Sequence, residues 1–330
     1  MKEKLAIVIP AYKADFLRDA LESIASQTSQ QFHLYIGDDN SPQDLYSIVR
    51  SFEGRINLTY KKFEANLGGQ DLVAHWDRCI DLTHDEEWIW LFSDDDVMGA
   101  DCVETFFEGM RQNEGTDLFH FNIKVIDRNG QPVKTCNPFP ERMAVNDFFS
   151  QRIQYQVNST VVEYIFSRKK YLQSGFINFD LAWCSDDATW IEFGRDAGIV
   201  TLAGPTVYFR ESGINISSDL KDRSVVLRKV NSSVAYIHWV KHFFKSNGIT
   251  DLTTDFTKLK WISSTLFLSK AFSIAEKKAL IMDVMHELDY IKFIKPVKAY
   301  MYYLSLKSFM ISLKKQKINK PATRALITVN

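Results

Sequence analysis

The first third of the chain alternates short apolar runs with longer amphipathic segments, and this alternation restricts the possible folds more than any other feature of the sequence. Residues 5–9 form a continuous apolar run that ends at Pro10, as is typical of a strand buried on both faces. Residues 15–27 then place apolar side chains at helical spacing. Because short connections join such segments, we expect right-handed crossovers and an α/β fold with a mostly parallel sheet flanked by helices.

The same reasoning predicts elements along the whole chain. Up to residue 110, the pattern predicts strands at 5–9, 32–36, 56–60 and 88–92 and helices at 15–27, 41–49, 69–82 and 101–110. Beyond it we expect a hairpin that starts with a strand at 118–126 and turns at Asn129-Gly130, strands at 161–167, 199–202 and 206–210, and a helix at 185–197. From about Lys221 the chain is predicted to be helical, with breaks near Gly248 and Pro296. We therefore expect an α/β domain over residues 1–220 and a helical C-terminal region over 221–330.

The charge of the chain is uneven along its length. The formal net charge is −1, but residues 290–330 hold nine Lys or Arg and no Asp or Glu, which leaves 31 basic and 41 acidic residues, or −10, for the rest. Two interpretations of this basic tail stay open: a helix packed on the protein with a solvated basic face, or a helix that lies on an anionic membrane surface. The acidic remainder argues against nucleic acid as a partner.

Composition and cysteine spacing restrict the class of protein. Hydrophobic residues make up 45% and charged residues 25% of the chain, which excludes a disordered or collagen-like protein. No uncharged apolar stretch reaches about 18 residues, so no membrane-spanning helix is expected. The four cysteines lie far apart without a Cys-x-x-Cys pair, as expected for buried, reduced thiols. We therefore expect a cytoplasmic protein, either free or held at the inner face of the cell membrane by its tail.

Polar clusters follow three of the predicted strands, at the edge where ligands bind in open parallel sheets. They are Pro10-Ala11-Tyr12, Asp38-Asp39 and Ser93-Asp94-Asp95-Asp96. Adjacent carboxylates repel one another in a confined site unless a cation lies among them, and Mg²⁺ binds carboxylates together with substrate phosphates. The last cluster therefore indicates a divalent metal and a phosphorylated substrate. The alternative is a solvated loop that caps the next helix, but the apolar run at 88–92 predicts a buried strand directly before the cluster and favours the metal.

Four motifs in order resemble those of family 2 glycosyltransferases of the GT-A fold, which is Rossmann-like. The motifs are Ile7-Val8-Ile9-Pro10-Ala11-Tyr12, Gly37-Asp38-Asp39-Asn40-Ser41, Asn66-Leu67-Gly68-Gly69 and Ser93-Asp94-Asp95-Asp96, and the resemblance covers roughly residues 4–215. It implies an inverting, metal-dependent transfer of a sugar from a nucleoside diphosphate sugar, with UDP favoured, to an acceptor hydroxyl. The implied acceptor is a saccharide or lipid-linked glycan in the synthesis of a surface polysaccharide or a lipid-linked glycan.

The resemblance also implies which residues hold the nucleotide. Pro10, Ala11 and Tyr12 would flank the base. Asp39 would accept a hydrogen bond from it, as a carboxylate can from the imide N–H of uracil. Asn66 and Gly68 would contact the donor, at a turn where glycine permits close backbone approach and the following helix start favours anions. For Asp38, the preferred role is to cap the following helix.

For the acidic triplet the resemblance implies metal binding. Asp94 and Asp96 match the family's DxD motif, in which Asp94 would contact the ribose and, with Asp96, bind Mn²⁺ or Mg²⁺, with Asp95 close by. Many members have an acidic residue one place earlier, where this chain has Ser93. The register of the triplet is therefore open by one residue.

A second acidic pair is a candidate for the catalytic base. Inverting transfer needs a base near the acceptor hydroxyl, and the family places it last in an acidic pair that opens a helix. Asp187 fits that position, with Asp186 as its neighbour. A helix start favours the ionised carboxylate, whereas burial and a like-charged neighbour raise its pKa. The alternative is that both residues only cap the helix.

The segment 208–217 resembles the loop that closes over the donor diphosphate. Many members carry a His there, and this chain has Glu211 or Ser212 near that place. The sequence therefore leaves open whether the protein provides a third ligand for the metal. Arg210 either neutralises diphosphate charge or pairs with Glu192 or Asp196.

Two other functions remain open from the sequence. A sugar nucleotidylyltransferase would have a similar sheet, but it needs a glycine-rich basic loop after the first strand, and residues 11–15 contain no glycine. The other alternative is a catalytically degenerate module that binds a nucleotide sugar. The intact carboxylates of Asp39, Asp96 and Asp187 argue against it.

Overall fold

A computed structural model describes residues 4–211, 213, 220–290 and 307. The chain divides into two compact units. The first comprises Met1–Asp219 and Ala235–Thr253, and the second comprises Leu220–Val234 and Thr254–Asn330. The domain boundary that the sequence suggests near residue 220 stays a prediction.

Strands and helices alternate along the described chain as far as residue 91, and consecutive strands also occur after it. The strands are β1 (Leu5–Ala11), β2 (Phe32–Asp38), β3 (Leu58–Lys62), β4 (Trp88–Leu91), β5 (Val97–Met98), β6 (Leu118–Ile126), β7 (Pro132–Thr135), β8 (Arg142–Met143), β9 (Tyr164–Ser167) and β10 (Ile199–Arg210). The helices are α1 (Leu17–Ala25), α2 (Leu45–Val49), α3 (Leu72–Ile80), α4 (Cys102–Gln112), α5 (Val145–Ile153), α6 (Arg168–Ser174), α7 (Ser185–Phe193), α8 (Arg223–Ser246), α9 (Asp255–Leu268) and α10 (Ile274–Glu287).

The strands join in one mixed sheet in the order β3-β2-β1-β4-β9-β6-β10-β5, with β7 beside β6 and β8 beside β10. β3, β2, β1 and β4 are parallel, and so are β6 and β10. The pairs that β9 makes with β4 and β6 are antiparallel. The predicted α/β fold with a mostly parallel sheet and flanking helices is therefore confirmed.

The core is built around β1. All five residues from Leu5 to Ile9 have no exposed surface, which explains the unbroken apolar run in the sequence. Leu5, Ile7 and Ile9 pack in one cluster with the apolar stripe of α1, which includes Leu17 and Leu21. Each such side chain stabilises the fold by about 1.5–3 kcal/mol when fully buried. This packing fixes the carboxyl end of β1, where the polar loops begin.

Several predicted boundaries are wrong, each for a local reason. The helix expected from residue 41 begins at Leu45, because Asp44 rather than Ser41 accepts the capping hydrogen bond, from the Ser47 amide. The strand expected over 161–167 begins at Tyr164, after one 3₁₀ turn. The strands expected at 199–202 and 206–210 are one strand, β10, with an irregularity in its pairing with β6 between Leu202 and Val207.

The helical C-terminal part has a break that the sequence analysis missed. α8 ends before Gly248, whose φ of +65° lies in the left-handed region, as predicted. A second break separates α9 from α10, where Ser273 and Glu276 form a capping box. The predicted break at Pro296 and the basic tail lie outside the described residues, apart from residue 307 and the tail's first residue. No helix in the described part of the chain has both the length and the apolar character needed to span a membrane.

Candidate active site

The three polar clusters meet at one edge of the sheet, because β1, β2 and β4 are parallel and end there. β1 lies between β2 and β4, so the strand order reverses at β1 and opens a crevice of the kind where ligands bind in such sheets. The backbone amides of Tyr12 and Lys13 both donate to Oδ2 of Asp94, each at 2.7 Å. The loop after β1 is therefore tied directly to the loop after β4.

Asp94, Asp95 and Asp96, here termed the acidic cluster, are almost completely buried, with 6%, 5% and 1% of their surface exposed. Ser93 donates from Oγ to Asp95 Oδ1 at 3.0 Å and to Asp96 Oδ2 at 2.6 Å. The other Asp96 oxygen accepts from the Arg210 backbone amide at 2.6 Å. Ser93 thus organises the carboxylates of Asp95 and Asp96, a role that an acidic residue at this position would not perform.

Burial and mutual repulsion disfavour the fully ionised form of the acidic cluster. Burial and the charge of Asp95 raise the pKa of Asp94 to about 6 and that of Asp96 to about 8. Oδ2 of Asp95 is buried without a hydrogen-bond donor, and the nearest cation is the Lys13 ammonium at 3.7 Å. The donor set of hard carboxylate oxygens fits Mg²⁺ or Mn²⁺. No three Asp, Glu, His or Cys side chains within the described residues are arranged to hold a metal by themselves, so oxygens from a substrate would have to complete the shell.

The second cluster is centred on Asp39, which is buried and accepts several hydrogen bonds. Its carboxylate accepts from the backbone amides of Leu67 at 2.7 Å and Gly68 at 2.9 Å, and from the Asn66 side chain at 2.9 Å. A Cβ on Gly68 would lie 2.8 Å from Asp39 Oδ2, so a larger residue would displace this carboxylate oxygen. The predicted residues Asp39, Asn66 and Gly68 are thus brought together in one turn.

Arg78 of α3 also belongs to this cluster, and the sequence analysis missed it. Its guanidinium pairs with Asp39 and lies 4.0 Å from the centre of the Phe63 ring. Burial lowers the pKa of the neighbouring His75 to about 4 despite the opposing charge of Asp39, so the imidazole is neutral at pH 7. The motif Asn66-Leu67-Gly68-Gly69 does not indicate Arg78, because Arg78 lies twelve positions beyond Asn66, on α3.

The remaining donor-side residues occupy the rim of the crevice. Pro10 and Ala11 end β1, and Tyr12 follows with 42% of its surface exposed. Asp38 is fully buried and accepts from the Ser41 amide at 2.7 Å and from the Tyr60 hydroxyl at 2.5 Å. Asp38 therefore stabilises the turn after β2 and does not cap α2.

Arg210 is placed differently from either predicted role. Its guanidinium is buried, and it donates to the backbone carbonyls of Asp95 at 2.7 Å and Arg128 at 3.1 Å and to Asp19 Oδ2 at 3.0 Å. The Phe16 ring lies 4.4 Å from its central carbon. Glu192 and Asp196, the predicted alternative partners, pair with Lys170 and Arg195 instead. Arg210 therefore braces the acidic cluster from within the protein.

The loop after Arg210 is described only in part. The Glu211 backbone amide donates to the Ile126 carbonyl at 2.9 Å. Ser212 and residues 214–219, which the sequence suggests close over the diphosphate, lie outside the described residues.

Asp186 and Asp187 lie in the first turn of α7, as predicted, but in different environments. Asp187 is 1% exposed, and both of its oxygens lie within 3.1 Å of Nε of Arg152 on α5. Burial alone would lower the pKa of Arg152, but the carboxylates of Asp187 and Asp186 raise it. Asp186 is partly exposed, and burial together with the Asp187 charge raises its pKa to about 7. The two carboxylates are thus chemically distinct.

The loop before α7 has an unusual backbone. Leu181, Ala182 and Cys184 have φ values of +60°, +51° and +70°, a region that side chains other than glycine rarely adopt. Such conformations cost about 1–3 kcal/mol each and persist where the surrounding structure enforces them, often at functional sites. The loop reaches α7 through Cys184, the residue that precedes the acidic pair.

The chain is similar to known proteins in sequence and in fold. Residues 6–176, just over half of the chain, match the model of glycosyl transferase family 2. An uncharacterized glycosyltransferase of Methanocaldococcus jannaschii is 23% identical over 176 residues, which cover 52% of this chain and 59% of that protein. The chain thus spans less than two thirds of the length of this relative.

Two solved structures share the fold. One is Staphylococcus aureus TarS 1–349 in complex with UDP-GlcNAc, with a TM-score of 0.56, 15% identity, and coverage of 95% of this chain and 92% of that chain. The other is a mannosyltransferase of Pyrobaculum calidifontis in complex with GDP-Man and Mn²⁺, with a TM-score of 0.50, 13% identity, and coverage of 95% and 88%. From the family match and this shared GT-A fold, we conclude that the chain belongs to glycosyl transferase family 2.

Proposed function

We propose that this protein transfers a sugar from a nucleoside diphosphate sugar to an acceptor hydroxyl, with inversion at the anomeric carbon and with a divalent metal. The observation that carries the proposal is the buried acidic cluster, which two backbone amides of the first loop hold at the switch point of the sheet. The second acidic pair at the start of α7 and the family membership support the same function. The nucleotide sugars bound to the two structural neighbours also support it.

On the donor side, the base lies between the Tyr12 loop and the Asp39 turn. Uracil presents an imide N–H between two carbonyl oxygens. Asp39 is 2% exposed and already accepts from Leu67, Gly68, Asn66 and Arg78, so uracil would bind here by replacing one of these donors with its imide N–H. The preference for UDP rests on the sequence motifs. Ala11 is fully buried in the core, so on this side of the site only Pro10 and the exposed ring of Tyr12 can face the nucleotide, with the ring available for stacking.

Asp94 and Asp96 would hold Mn²⁺ or Mg²⁺, with Asp95 beside them. When bound, the metal offsets the negative charge that develops on the leaving diphosphate. Arg210 is a positioning residue in this account, because its guanidinium binds the carbonyl of Asp95 and its amide binds Asp96. It holds the acidic cluster in place rather than contacting the diphosphate.

The contacts of the second acidic pair favour Asp186 over Asp187 as the proton acceptor. Both oxygens of Asp187 lie against the Arg152 guanidinium and the side chain is 1% exposed, so Asp187 is not free to approach a substrate hydroxyl. Asp186 is accessible, and a pKa of about 7 matches the pH at which a general base works best. The sequence alone favours Asp187 as the base, whereas these contacts favour Asp186.

The cellular setting follows from the rest of the sequence. The acceptor is a saccharide or lipid-linked glycan in polysaccharide synthesis in the cytoplasm. The basic tail, residues 290–330, holds the enzyme at the anionic inner face of the membrane. Nucleic acid is not a partner. In this account the catalytic domain extends to about residue 220, before the helical C-terminal region.

The experiment is an assay of nucleotide-sugar hydrolysis and transfer with UDP-, GDP- and dTDP-sugars in the presence of Mn²⁺. NMR would follow the anomeric configuration of the first product formed. Release of UDP with a β-configured product from an α-linked donor is expected. Release of the α-anomer would overturn the inverting mechanism, and binding without any release would indicate a degenerate module. Pyrophosphate-dependent formation of nucleoside triphosphate would indicate a nucleotidylyltransferase.

Asp96→Asn tests the metal site, and Asp101→Asn is its matched control. Asp101 is an exposed residue just outside the acidic cluster, and its side chain makes no capping hydrogen bond. Only the Asp96 variant should lose Mn²⁺-dependent turnover.

A further inference from the structure

A polar cavity of about 230 Å³ lies between the start of α3 and the loop that precedes α7. Gln70 and Asp71 line it on the α3 side, and Asn178, Phe179 and Asp180 line it on the loop side. This space is large enough for one sugar ring, and the cavity is open to solvent on one side.

Both walls of the cavity are connected to the candidate active site. The loop wall is fixed to α7, because the Phe179 amide donates to Ser185 Oγ at 2.8 Å and the Ile177 amide donates to Thr189 Oγ1 at 3.0 Å. Ser185 directly precedes Asp186 in the chain. On the other wall, the Asp71 amide donates to the Leu67 carbonyl at 2.8 Å, in the same turn that binds Asp39. The cavity thus lies between the turn that holds Asp39 and the helix that carries the acidic pair.

The lining determines which chemistry the cavity can accept. Two carboxylates and two side-chain amides contribute, and Asn178 binds Asp71 through two contacts of 3.1 Å. Carboxylates accept hydrogen bonds from sugar hydroxyls or an ammonium group, and amides both donate and accept. No lysine or arginine is among the described residues that line the cavity. A phosphate, sulfate or carboxylate group would therefore enter without a countercharge and beside two like charges.

We propose that this cavity is the acceptor subsite and that it binds a terminal sugar that is neutral or carries an amino group, and discriminates against an anionic one. The inference rests on the proposed glycosyl transfer. The same hydroxyl chemistry would also suit the donor sugar. The acceptor is favoured because none of the acidic cluster, which would hold the donor diphosphate, lines the cavity, whereas the loop that lines it up to Ala182 leads into α7, which carries Asp186 just outside the lining.

Ligand-observed NMR on the full chain with saturating UDP and Mn²⁺ tests the proposal without requiring turnover. The probes are a methyl hexoside, its 2-amino analogue and the hexose 6-phosphate. We expect the first two to bind and the phosphate to bind at least fivefold more weakly. Asp180→Lys should reverse this order, because it changes the sign of one charge in the lining. Glu114→Lys is the matched control, since Glu114 is exposed in the turn between α4 and β6, away from the cavity.

Three outcomes would overturn the proposal. The first is equal binding of the phosphorylated and neutral probes by the wild type. The second is an unchanged order in a folded Asp180→Lys protein. The third is a loss of affinity for the UDP-sugar relative to UDP in that variant, which would assign the cavity to the donor sugar. Failure of the proposed function itself is distinguishable, because it would appear as absent UDP binding in the wild type.

Discussion

Replacing Asp186 by asparagine should remove most of the transfer activity and leave donor binding intact. The amide is nearly isosteric with the carboxylate but cannot take a proton, so a general-base contribution of about 10²–10⁴-fold is lost. Nucleotide affinity should hold, because Asp39 and the acidic cluster lie on other elements of the sheet edge. The assay is kcat/KM for transfer, measured beside the dissociation constant for UDP.

The pH dependence of kcat/KM is a second measure of how much ionised Asp186 contributes to transfer. Burial and the charge of Asp187 raise the pKa of Asp186 to about 7. Ionised Asp186 is the active form, so wild-type kcat/KM should fall about tenfold for each pH unit below 7. Roughly 1% of Asp186 is ionised at pH 5, which predicts a rate near 100-fold below the plateau. The acid limb should be absent in the Asp186→Asn protein.

Asp187→Asn is the matched substitution and should behave differently. It leaves the Arg152 guanidinium without its carboxylate partner, and breaking a buried ion pair costs about 3–5 kcal/mol. The expected loss of melting temperature is roughly 6–20 °C for a domain of this size. The pKa of Asp186 should also fall, because a neighbouring negative charge is removed and Arg152 remains. A stable but inactive Asp187→Asn protein beside an active Asp186→Asn protein would refute the reasoning and identify Asp187 as the base.

Three other perturbations have defined outcomes. Burial and the Asp95 charge raise the pKa of Asp96 to about 8, so its protonation stabilises the metal-free protein at low pH, and that stabilisation is lost progressively between the ordinary carboxyl pKa of about 4 and pH 8. The melting temperature without metal should therefore fall from about pH 4 to pH 8, and a similar fall in Asp96→Asn would contradict this. Arg210→Met removes the donor to several backbone carbonyls and should cost about 1–3 kcal/mol for each one left buried and unpaired, with weaker Mn²⁺ binding by calorimetry. Unchanged stability and Mn²⁺ affinity would exclude the bracing role. Removing residues 290–330 should weaken co-sedimentation with anionic liposomes more than donor hydrolysis, since each basic residue near such a surface contributes about 1 kcal/mol. Equal sedimentation of both proteins across a salt series would reject membrane binding by the tail, and an insoluble truncation would favour packing of the tail on the protein.

The sequence predicts the sheet edge well because its signals are local. The apolar run before Pro10 and the one before Ser93 each specify a buried strand, and parallel pairing then brings their carboxyl ends together. The second break in the C-terminal helices is also encoded locally, since Ser273 and Glu276 have the spacing of a capping box. This break was not predicted because the surrounding residues are apolar enough to continue a helix.

The environments of the charged side chains are not local and could not be predicted. Arg152 and Asp187 are 35 positions apart, and only the packing of α5 on α7 brings them into contact. Arg210 and Asp19 are 191 positions apart. The contact between Arg152 and Asp187 is the observation that favours Asp186 as the proposed base, and no local sequence signal predicts that contact.

The central claim is that the crevice binds a nucleoside diphosphate together with a divalent metal. The most direct test is the melting temperature of the full chain with UDP, GDP and dTDP, each with and without Mn²⁺. A ligand at about 100 times its dissociation constant adds about 2.7 kcal/mol to the free energy of unfolding. We expect UDP with Mn²⁺ to raise the melting temperature by more than UDP alone, and Asp96→Asn to abolish the Mn²⁺-dependent part. A shift with GDP or dTDP instead of UDP would correct only the identity of the base, whereas the absence of a shift with every nucleoside diphosphate would contradict the account.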